Sequence, residues 1–566
     1  MKRYITSLIL IIALVSSCTD DYLQVENKGS LTVENWYNTA DDFQAALNSA
    51  YIPMMENGMF ALDMTLTFGT FEDRTLFENT GRDRFSTMYP SSGDASNTWG
   101  SLYFGVYRTS KLLSMLNEKG VDGIEGMTAG NFDYIAAQAR ALRGMYYFYL
   151  TIIFDRPILY DENSLPDNYS AVYSNANQSD LWNQIEKDFT DAYPDLKLRS
   201  GLDDAEFGRV TSGAAMAQLA KSLLYKHYYY YERFGLAGSD EDIADLTKAR
   251  DYFKQVIDSH EYALIQPQAP KTRKDYLYAI LCNSSFVDLP SENNIYDSEN
   301  NIESVWEVQF GDDQAYQNNP WLNGYFSGGA LNEQYFSPHE ASYRNHEAHP
   351  AMYYAFETEG APAPFDRDPR CYASFYFDGD LMDFNPNSDY YIPFKSGLNS
   401  KKVAQMRGLT LPAGTQSLGV KKTHFPVYWD GPLAPSNDPV NKRVIRYADV
   451  LLMYAEVMYL TGDDGSGLDA LNQVRRRVDM PDISALTTQA IIHERDVELA
   501  FEDHRWFDLV RWSFSLEWGI DWSQIDWGID ANNSVNPFTK NKNEFLPIPL
   551  SEINVNDGAL KQNPGW

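Results

Sequence analysis

The stretch Thr211–Arg233 reads TSGAAMAQLAKSLLYKHYYYYER and decides the fold class of this 566-residue chain. Thr211 and Ser212 are favourable helix caps, and an apolar face follows at helical spacing. That face alternates small and large residues: Ala214, Ala217, Leu219, Ala220, Leu223 and Leu224. A small residue lets a neighbouring helix approach closely, and a large one fills the space beside it. The pattern predicts close-packed helix pairs of the tetratricopeptide kind.

Similar patterns occur on both sides of this stretch. The residues Thr39–Asp42 are typical of a helix start, and the apolar face that follows ends before Pro53. The other predicted helices are Trp99–Leu116, Phe132–Phe154, Leu181–Tyr193, Lys248–Ile257, Val444–Leu460, Leu468–Val478 and Thr488–Trp512. Because their period is irregular, they indicate divergent helix pairs rather than a regular repeat array.

The middle of the chain has a different character. From about Gln266 to Lys442, Pro, Gly, Asn, Asp and aromatic residues crowd together, and only short strand-like pieces appear, at Glu303–Phe310 and Cys371–Phe377. The predicted fold class is therefore mostly α, a tetratricopeptide-like helix-pair scaffold with a large loop-rich insertion that contains short β pieces. Binding residues commonly lie in such insertions.

Composition excludes several classes of protein. With 79 acidic and 46 basic residues, the net charge is −33, which argues against nucleic acid and against electrostatic attraction to anionic lipid. A hydrophobic content of 44% supports a large folded core. The chain also has 12 Trp, 39 Tyr and 30 Phe, residues that suit binding surfaces as well as cores.

The N-terminus predicts how so acidic a chain reaches a membrane. Met1–Arg3 is basic, Tyr4–Val15 is mostly apolar, and Val15–Ser16–Ser17–Cys18 resembles a bacterial lipobox, in which the cysteine becomes the lipidated first residue. Thr19–Asp20–Asp21 resembles the acidic tether that directs Bacteroidetes-type lipoproteins to the cell exterior. A multi-chain acyl anchor holds without basic residues. We expect a signal peptide over 1–17 and a lipid anchor at Cys18.

Motifs in the C-terminal helices resemble those of the SusD/RagB family of nutrient-binding outer-membrane lipoproteins. They are RYADVLLMYAE (446–456), LNQVRRR (471–477), the pattern from Glu494–Arg495 to Arg511–Trp512, FLPIP (545–549) and the ending QNPGW (562–566). Earlier segments, ARALRGMYYF (139–148) and RVTSGAA (209–215), are similar to the family as well. The resemblance covers nearly the whole chain and is thinnest in the middle.

The resemblance implies a function and a domain order. It implies a non-catalytic cell-surface lipoprotein that captures oligosaccharide or polysaccharide and delivers it to a SusC-like TonB-dependent barrel of the outer membrane. No cofactor, metal or nucleic acid is expected. The predicted organisation is a signal peptide (1–17), a tether (18–38), an N-terminal scaffold (39–265), a loop-rich insertion that forms the ligand face (266–442) and closing C-terminal helices (443–566).

Three carboxylates in the longest motif permit two interpretations. Glu494, Glu498 and Glu502 recur at i, i+4 and i+8, which places them on one face if the helix is continuous. With His493 and His504 nearby they form a catalytic cluster in one interpretation. We favour the other, a buried ion-pair network with arginines such as Arg495 and Arg505 that attaches the last helices to the scaffold.

Metal and cysteine chemistry receive little support. His339, His346 and His349 are spaced so that a zinc site is conceivable, but their polar surroundings favour a solvated loop. Asp463–Gly465 lacks the alternating acidic ligands of a calcium loop and is better interpreted as a helix connection. Cys282 and Cys371 form a disulfide only if the fold brings them together, which spacing does not reveal.

The tryptophans divide between core and ligand face. Trp36, Trp99, Trp306, Trp506 and Trp512 fall in helical, strand-like or family patterns and are expected in the core. Trp321 differs, because it lies in a polar loop with no regular face to bury it. A flat ring on a loop can stack on the C–H face of a sugar while neighbouring amides bind the hydroxyls. Trp321 is the leading candidate, followed by Tyr316, Tyr325 and Asn319.

A second candidate surface precedes Trp99. Arg84, Phe85 and Tyr89 lie there among Gly, Ser, Asn and Asp, and the family resemblance implies that this loop faces the ligand. A third aromatic cluster comprises Trp518, Trp522 and Trp527, and its residues suit a partner surface, a small core or part of the ligand face equally well.

Three other functions stay open from the sequence. A member of the same family that captures peptides would need strand edges or apolar pockets. A surface enzyme that degrades glycans needs only two placed carboxylates. Helix repeats can also serve as a scaffold that binds only protein. Motifs of serine hydrolases, zinc proteases and phosphate-binding loops are absent from the sequence.

Overall fold

A computed structural model describes residues 36–77, 88–165, 172–267, 271, 301–310, 346–377, 418–422, 441–525 and 538–566. Cys18 and the signal peptide lie outside these residues. So do most candidate ligand residues: Arg84, Phe85, Tyr316, Asn319, Trp321 and Tyr325. Among the described helices, none combines the length and apolar character that a bilayer-spanning segment needs.

The N-terminal half is helical, as predicted. In the order of the chain, its helices are α1 (Ala40–Tyr51), α2 (Asp63–Phe71), α3 (Gly93–Lys119), α4 (Ala129–Phe154), α5 (Gln178–Ala192), α6 (Ser212–Lys226) and α7 (Asp240–Asp258). Thr39 and Asp42 form a reciprocal capping box at the start of α1, and Thr211 caps α6 by accepting from the Ala214 N–H at 3.1 Å. The caps therefore lie where the sequence places them.

Two helix ends differ from the prediction. α6 gives way after Lys226 to a π-helical turn over His227–Glu232 rather than continuing as an α-helix to Arg233. α7 begins at Asp240 and not at Lys248, because Ser239 caps it and its first turn is acidic rather than apolar. Apolar periodicity misses such a polar first turn.

Neighbouring helices pack closely where one of them carries a small residue. α3 packs on α4, α4 on α5 and α6 on α7. A Cβ added at Gly105 would lie 2.3 Å from the Tyr146 ring, and one at Gly144 would lie 2.8 Å from the Phe189 ring. The small-and-large alternation thus has the role expected of helix pairs, since each glycine admits an aromatic ring from the next helix.

The described middle segments form short strands and helices. After β1 (Thr75–Phe77), which lies in the N-terminal half between α2 and α3, they are β2 (Ser304–Val308), β3 (His346–Ala348), α8 (Pro350–Ala355), α9 (Pro369–Ser374), β4 (Phe375–Tyr376), β5 (Gly419–Val420) and β6 (Lys442–Arg446). β2 pairs with β6, and an antiparallel sheet has the order β1-β3-β5-β4. The strand predicted over Cys371–Phe377 is wrong in its first half, because Asp368 and Pro369 start a helix there.

The C-terminal helices return to the scaffold. They are α10 (Tyr447–Thr461), α11 (Asp464–Arg477), α12 (Thr488–Glu498), α13 (Arg505–Ser513) and α14 (Leu550–Val555). The predicted helix Val444–Leu460 begins late, because β6 extends to Arg446. Gly462 ends α10 in the left-handed conformation, and Asp463 caps α11, so this segment joins two helices as expected.

The helix predicted over Thr488–Trp512 is interrupted. α12 ends at Glu498, a turn follows, and α13 starts at Arg505. Phe501 and Asp503 both have a φ of 63°, which no α-helix accommodates. Glu502 therefore lies on the turn and not on the helical face that carries Glu494 and Glu498.

One large core joins both ends of the chain. It contains residues from Phe43 to Leu560, and α7 packs directly on α10. A smaller core lies under the middle segment, where Met352, Phe356 and Phe375 pack against Val497 and Phe501. The middle segment is thus attached to the scaffold at the end of α12.

Candidate ligand-binding site

The end of β1 and the start of β3 are directly paired. Their antiparallel register places Thr75 opposite Ala348 and Phe77 opposite His346. Phe77 immediately precedes segment 78–87, which carries Arg84 and Phe85, and His346 immediately follows segment 311–345, which carries Trp321. The sheet therefore brings together the attachment points of the two segments that carry most of the candidate ligand residues.

The other end of the second segment is attached at the start of β6. The Phe310 N–H donates to Asn441 Oδ1 at 2.7 Å, and Asn441 Nδ2 donates to Glu307 Oε1 at 2.7 Å. Both side chains are buried. This asparagine fixes the exit of β2, and with it the position where the chain enters segment 311–345.

Tyr89 is the described member of the second candidate surface. Its ring is 54% exposed, as a ligand contact requires. The backbone around it is held, because the Tyr89 N–H donates to Ser92 Oγ at 2.9 Å and the Leu550 N–H donates to the Pro90 carbonyl at 2.8 Å. An exposed ring on a fixed turn can serve as a stacking platform without ordering the backbone on binding.

The three motif carboxylates belong to a buried ion-pair network. Glu498 accepts from Arg446 Nη1 at 2.7 Å and from Arg370 Nη1 at 3.0 Å, and Arg477 also donates to it. Glu494 is shared by Arg370 and Arg475, at 2.5 and 2.9 Å. The interpretation of these residues as a buried ion-pair network is confirmed, but the predicted partners are wrong: Arg495 binds Asp449 and Asp508, and Arg505 binds Asp73.

Glu502 completes the network from its turn. Arg446 Nε lies 2.6 Å from Glu502 Oε2, and Lys422 Nζ lies 2.9 Å from Oε1. Burial by itself raises the pKa of Glu502, but the charges of Arg446 and Lys422 lower that pKa to about 2. The pKa of Glu498 is also well below its ordinary value, because arginines outweigh its burial. Permanently ionised, paired carboxylates are unsuited to general acid catalysis.

A second network explains two charges in the RYADVLLMYAE motif. Asp449 accepts from Arg495 Nη1 at 2.8 Å, and Arg495 Nε donates to Asp508 at 2.7 Å. Glu456, seven residues after Asp449, accepts from both terminal nitrogens of Arg511. These residues join α10 to α12 and α13, so the charges of the motif hold the fold together.

The histidines show no arrangement for metal binding among the described residues, where no group of three or more metal-ligating side chains occurs. His349 is fully buried and caps α8 by accepting from the Ala351 N–H at 3.1 Å, which corrects its prediction as part of a solvated loop. Burial lowers the pKa of His504 to about 4. The pKa of His493 is raised despite burial, because the Glu357 carboxylate, 3.4 Å from its Nε2, stabilises the protonated imidazole.

The described tryptophans confirm most of the core predictions. Trp99, Trp306, Trp506 and Trp512 are buried, while Trp36 is half-buried. The structure also assigns two members of the third aromatic cluster. Trp518 is buried and stacks on Trp512, with 5.0 Å between ring centroids. Trp522 is buried and stacks on Phe538 at 4.0 Å. These two rings are core residues, whereas Trp527 lies outside the described residues.

The partners of the motif carboxylates include residues that sequence inspection did not select. Arg370 and Lys422 come from the loop-rich middle: Arg370 lies 124 residues before Glu494, and Lys422 lies 80 residues before Glu502. The sequence indicates these partners only indirectly: buried acidic side chains of the motif need cations to pair with, and some of those cations must come from elsewhere in the chain. Cys371 is a buried free thiol, and Cys282 lies outside the described residues.

Comparison with known protein families gives two matches. A profile described as the SusD family matches residues 302–566, and a second, described as starch-binding associating with outer membrane, matches residues 21–224. A SusD-like protein of Bacteroides ovatus is 25% identical over 535 residues, which span 90% of this chain and 83% of that protein.

Solved structures share the fold. A SusD homologue of Bacteroides thetaiotaomicron has a TM-score of 0.70 at 20% identity and covers 95% of this chain and 99% of its own. Surface glycan-binding protein A of the same organism, solved in complex with laminarihexaose, has a TM-score of 0.66 at 19% identity, with 93% and 100% covered. The mostly helical architecture predicted from helix pairs is therefore confirmed.

Proposed function

This chain belongs to the SusD/RagB family, and from that premise we propose that it is a non-catalytic surface protein that binds oligosaccharide or polysaccharide. It captures the glycan at the outer membrane and delivers it to a TonB-dependent transporter barrel. Cys18 carries the lipid anchor, and segment 18–38 is the tether. The scaffold (39–265 and 443–566) presents the ligand face of segment 266–442 to the cell exterior.

The observation that carries the proposal is the pairing of Phe77 with His346. Segment 78–87 and segment 311–345, which were selected from sequence for separate reasons, begin and end at neighbouring positions of one sheet. Their combined residues suit a sugar: rings for stacking at Trp321 and Tyr316, an amide at Asn319 and a guanidinium at Arg84. The exposed ring of Tyr89 extends this surface on the scaffold side.

The comparisons support the ligand class and the location. One structural relative binds laminarihexaose, and one matching family is described as starch-binding and associated with the outer membrane. The lipobox supports attachment by acyl chains, since an acidic surface supplies no electrostatic attraction to the membrane. Delivery to a barrel rests on the family resemblance.

The non-catalytic assignment rests on the carboxylates of the longest motif. Glu494, Glu498 and Glu502 are each paired with two or more cations, so these buried carboxylates have no free oxygen for glycoside hydrolysis.

Affinity electrophoresis of the mature chain in gels that contain single polysaccharides tests the proposal. We expect one polysaccharide to retard the wild-type chain, and Trp321→Ala to lose most of that retardation. Phe234→Ala is the matched control, because this ring is also exposed but lies on the helical scaffold. Retardation by no polysaccharide, together with binding of peptides, contradicts the proposal and favours the peptide-capturing alternative.

The same preparation tests for enzyme activity. Incubation with the retarding polysaccharide is expected to release no reducing sugar. Release that disappears when one carboxylate is replaced identifies a glycan-degrading enzyme instead.

A further inference from the structure

A cavity of about 200 Å³ lies between α1, segment 205–209 and the end of β2. Tyr51 and Met54 line one side, Phe207 and Arg209 a second side, and Val308 and Gln309 a third. Tyr89, the described member of the candidate ligand face, does not line it. The cavity is smaller than the roughly 300–1,000 Å³ of sites for drug-sized ligands, so it admits about one sugar ring.

The walls of the cavity are largely apolar. Met54 and Val308 are buried, and the half-buried Tyr51 ring lies beside them. Phe207 stands at the rim with 41% of its surface exposed. Aromatic rings at the rim and apolar side chains at the floor of a shallow cavity suit the C–H face of a sugar ring.

Arg209 supplies a positive charge that lacks a carboxylate partner among the described residues. Its Nη1 donates to Gln138 Oε1 at 3.3 Å and its Nη2 to Asn48 Oδ1 at 2.8 Å, and both acceptors are neutral amides. Arg108 and Arg367 are also half-buried and donate to backbone carbonyls, whereas the buried Arg143, Arg446 and Arg495 each bind at least one carboxylate. Of these three half-buried arginines, Arg209 is the one that lines this cavity, and it is the charged side chain of its lining.

Hydrogen-bond donors are in excess around the same segment. The indole Nε1–H of Trp306 is buried without an acceptor, and Trp306 lines a smaller adjoining cavity that is also bounded by Phe207 and Arg209. The Gln138 Nε2 that adjoins Arg209 is likewise buried without an acceptor. Glu307 at this smaller cavity is already engaged by Arg443 and Asn441. Of the donors in this region, the Arg209 guanidinium lines the larger cavity, so an anionic acceptor bound there would pair with it.

We propose that this cavity is a separate binding site for one carboxylated sugar residue, a uronic acid. Its ring packs against Tyr51, Met54 and Phe207, and its carboxylate accepts hydrogen bonds from Arg209, the side chain best suited to planar, charge-assisted recognition of a carboxylate. The site goes beyond the proposed glycan face, since the four residues that we assign to it are not among the candidate ligand residues named for that face, from Arg84 to Tyr325.

Titration calorimetry of the mature chain with three probes tests the site: methyl glucuronide, methyl glucoside and acetate. We expect the glucuronide to bind saturably and on the order of tenfold more tightly than the glucoside, because only the glucuronide engages the guanidinium. Acetate is expected to bind more weakly than the glucuronide, because it lacks a ring. Equal affinity for the two sugars, or no binding of the glucuronide, overturns the proposal.

Variants distinguish recognition by Arg209 from a purely structural role. Arg209→Gln should reduce glucuronide affinity to that of the glucoside, and Arg209→Lys should retain part of the difference. Arg250→Gln is the matched control, because Arg250 is a partly exposed arginine on α7 outside the cavity. This variant should leave the affinity for the glucuronide unchanged. A preference for the glucuronide that persists in Arg209→Gln contradicts the proposal.

Two further variants cover the remaining outcomes. Ala205 is exposed at the cavity wall, so Ala205→Trp should fill the cavity and abolish glucuronide binding even where Arg209 variants fold poorly. Trp321→Ala should leave glucuronide binding unchanged, which separates this site from the proposed glycan face. Loss of glucuronide binding in Trp321→Ala assigns it to that face and overturns the separate site.

Discussion

Arg446 and Glu498 form a 2.7 Å ion pair in which both side chains are almost completely buried. The arginine leads from β6 into α10, and the glutamate is the last residue of α12. Arg446 also donates to the Glu498 carbonyl at 2.8 Å and to Glu303 at 2.8 Å. One guanidinium thus connects the middle segment, the turn after α12 and the start of the C-terminal helices.

Replacement of Glu498 by Gln should destabilise the protein strongly. Three arginines would lose the charge that compensates them, and removal of one partner from a buried pair costs about 3–5 kcal/mol. The midpoint of urea unfolding measures the change. Glu517→Gln is the matched control, because Glu517 is exposed and should shift the free energy of unfolding by less than about 0.5 kcal/mol. Equal midpoints for both variants would show that the network contributes little.

Acid should unfold the protein partly through Glu502. The pKa of this carboxyl is about 2 in the folded chain against an ordinary 4.5, so its stabilisation is complete above about pH 4.5 and is lost as the pH falls towards 2. Thermal midpoints measured between pH 5 and pH 2.5 should fall less steeply in Glu502→Gln than in the wild type. Parallel curves for the two proteins would contradict the depressed pKa.

His504 should make the stability of the protein depend on pH in a second, higher range. Burial lowers its pKa from 6.5 to about 4, so the unfolded chain binds a proton in this interval that the folded chain does not. The contribution of His504 to the free energy of unfolding is therefore fully present above about pH 6.5 and is lost as the pH decreases to 4. In His504→Asn, the thermal midpoint should vary less between pH 7 and pH 4.5. An unchanged slope would rule out His504 as its source.

A methyl group added at Gly105 should destabilise the protein, whereas one added at Gly100 should stabilise it, although both glycines lie on α3. At Gly105 the added Cβ meets the Tyr146 ring at 2.3 Å, and such overpacking costs about 1–3 kcal/mol. At Gly100 nothing lies within 4 Å, so alanine should stabilise the helix by about 0.5–1 kcal/mol. Thermal unfolding of Gly105→Ala and Gly100→Ala compares them, and shifts of the same sign would contradict the close helix packing.

Tyr89→Ala should weaken glycan binding without loss of stability. Its exposed ring contributes contacts worth about 0.5–1.5 kcal/mol if it stacks on the ligand. Affinity electrophoresis measures the effect against Phe234→Ala, a ring of similar exposure on the helical scaffold. Equal retardation of the two variants would remove Tyr89 from the ligand face.

Local pattern predicted the helices well because helical periodicity and capping depend on neighbouring residues. α1 and α4 begin close to the predicted positions, and Thr39 and Thr211 act as caps. The same reasoning failed between Glu498 and Arg505, where apolar spacing continues through a turn. The left-handed backbone at Phe501 and Asp503 is stabilised by tertiary contacts, and spacing carries no trace of them.

The sequence by itself determined the helix-pair scaffold and the family, and it predicts the anchor at Cys18, since each depends on residues close together in the chain. Only the tertiary structure decided that Arg370 binds Glu494 across 124 residues, and that Phe77 lies opposite His346. It also showed that Arg209, part of a family-like motif, lines a cavity. Periodicity encodes which face of a helix is buried, but which distant residue meets that face is decided by the packing of the whole chain.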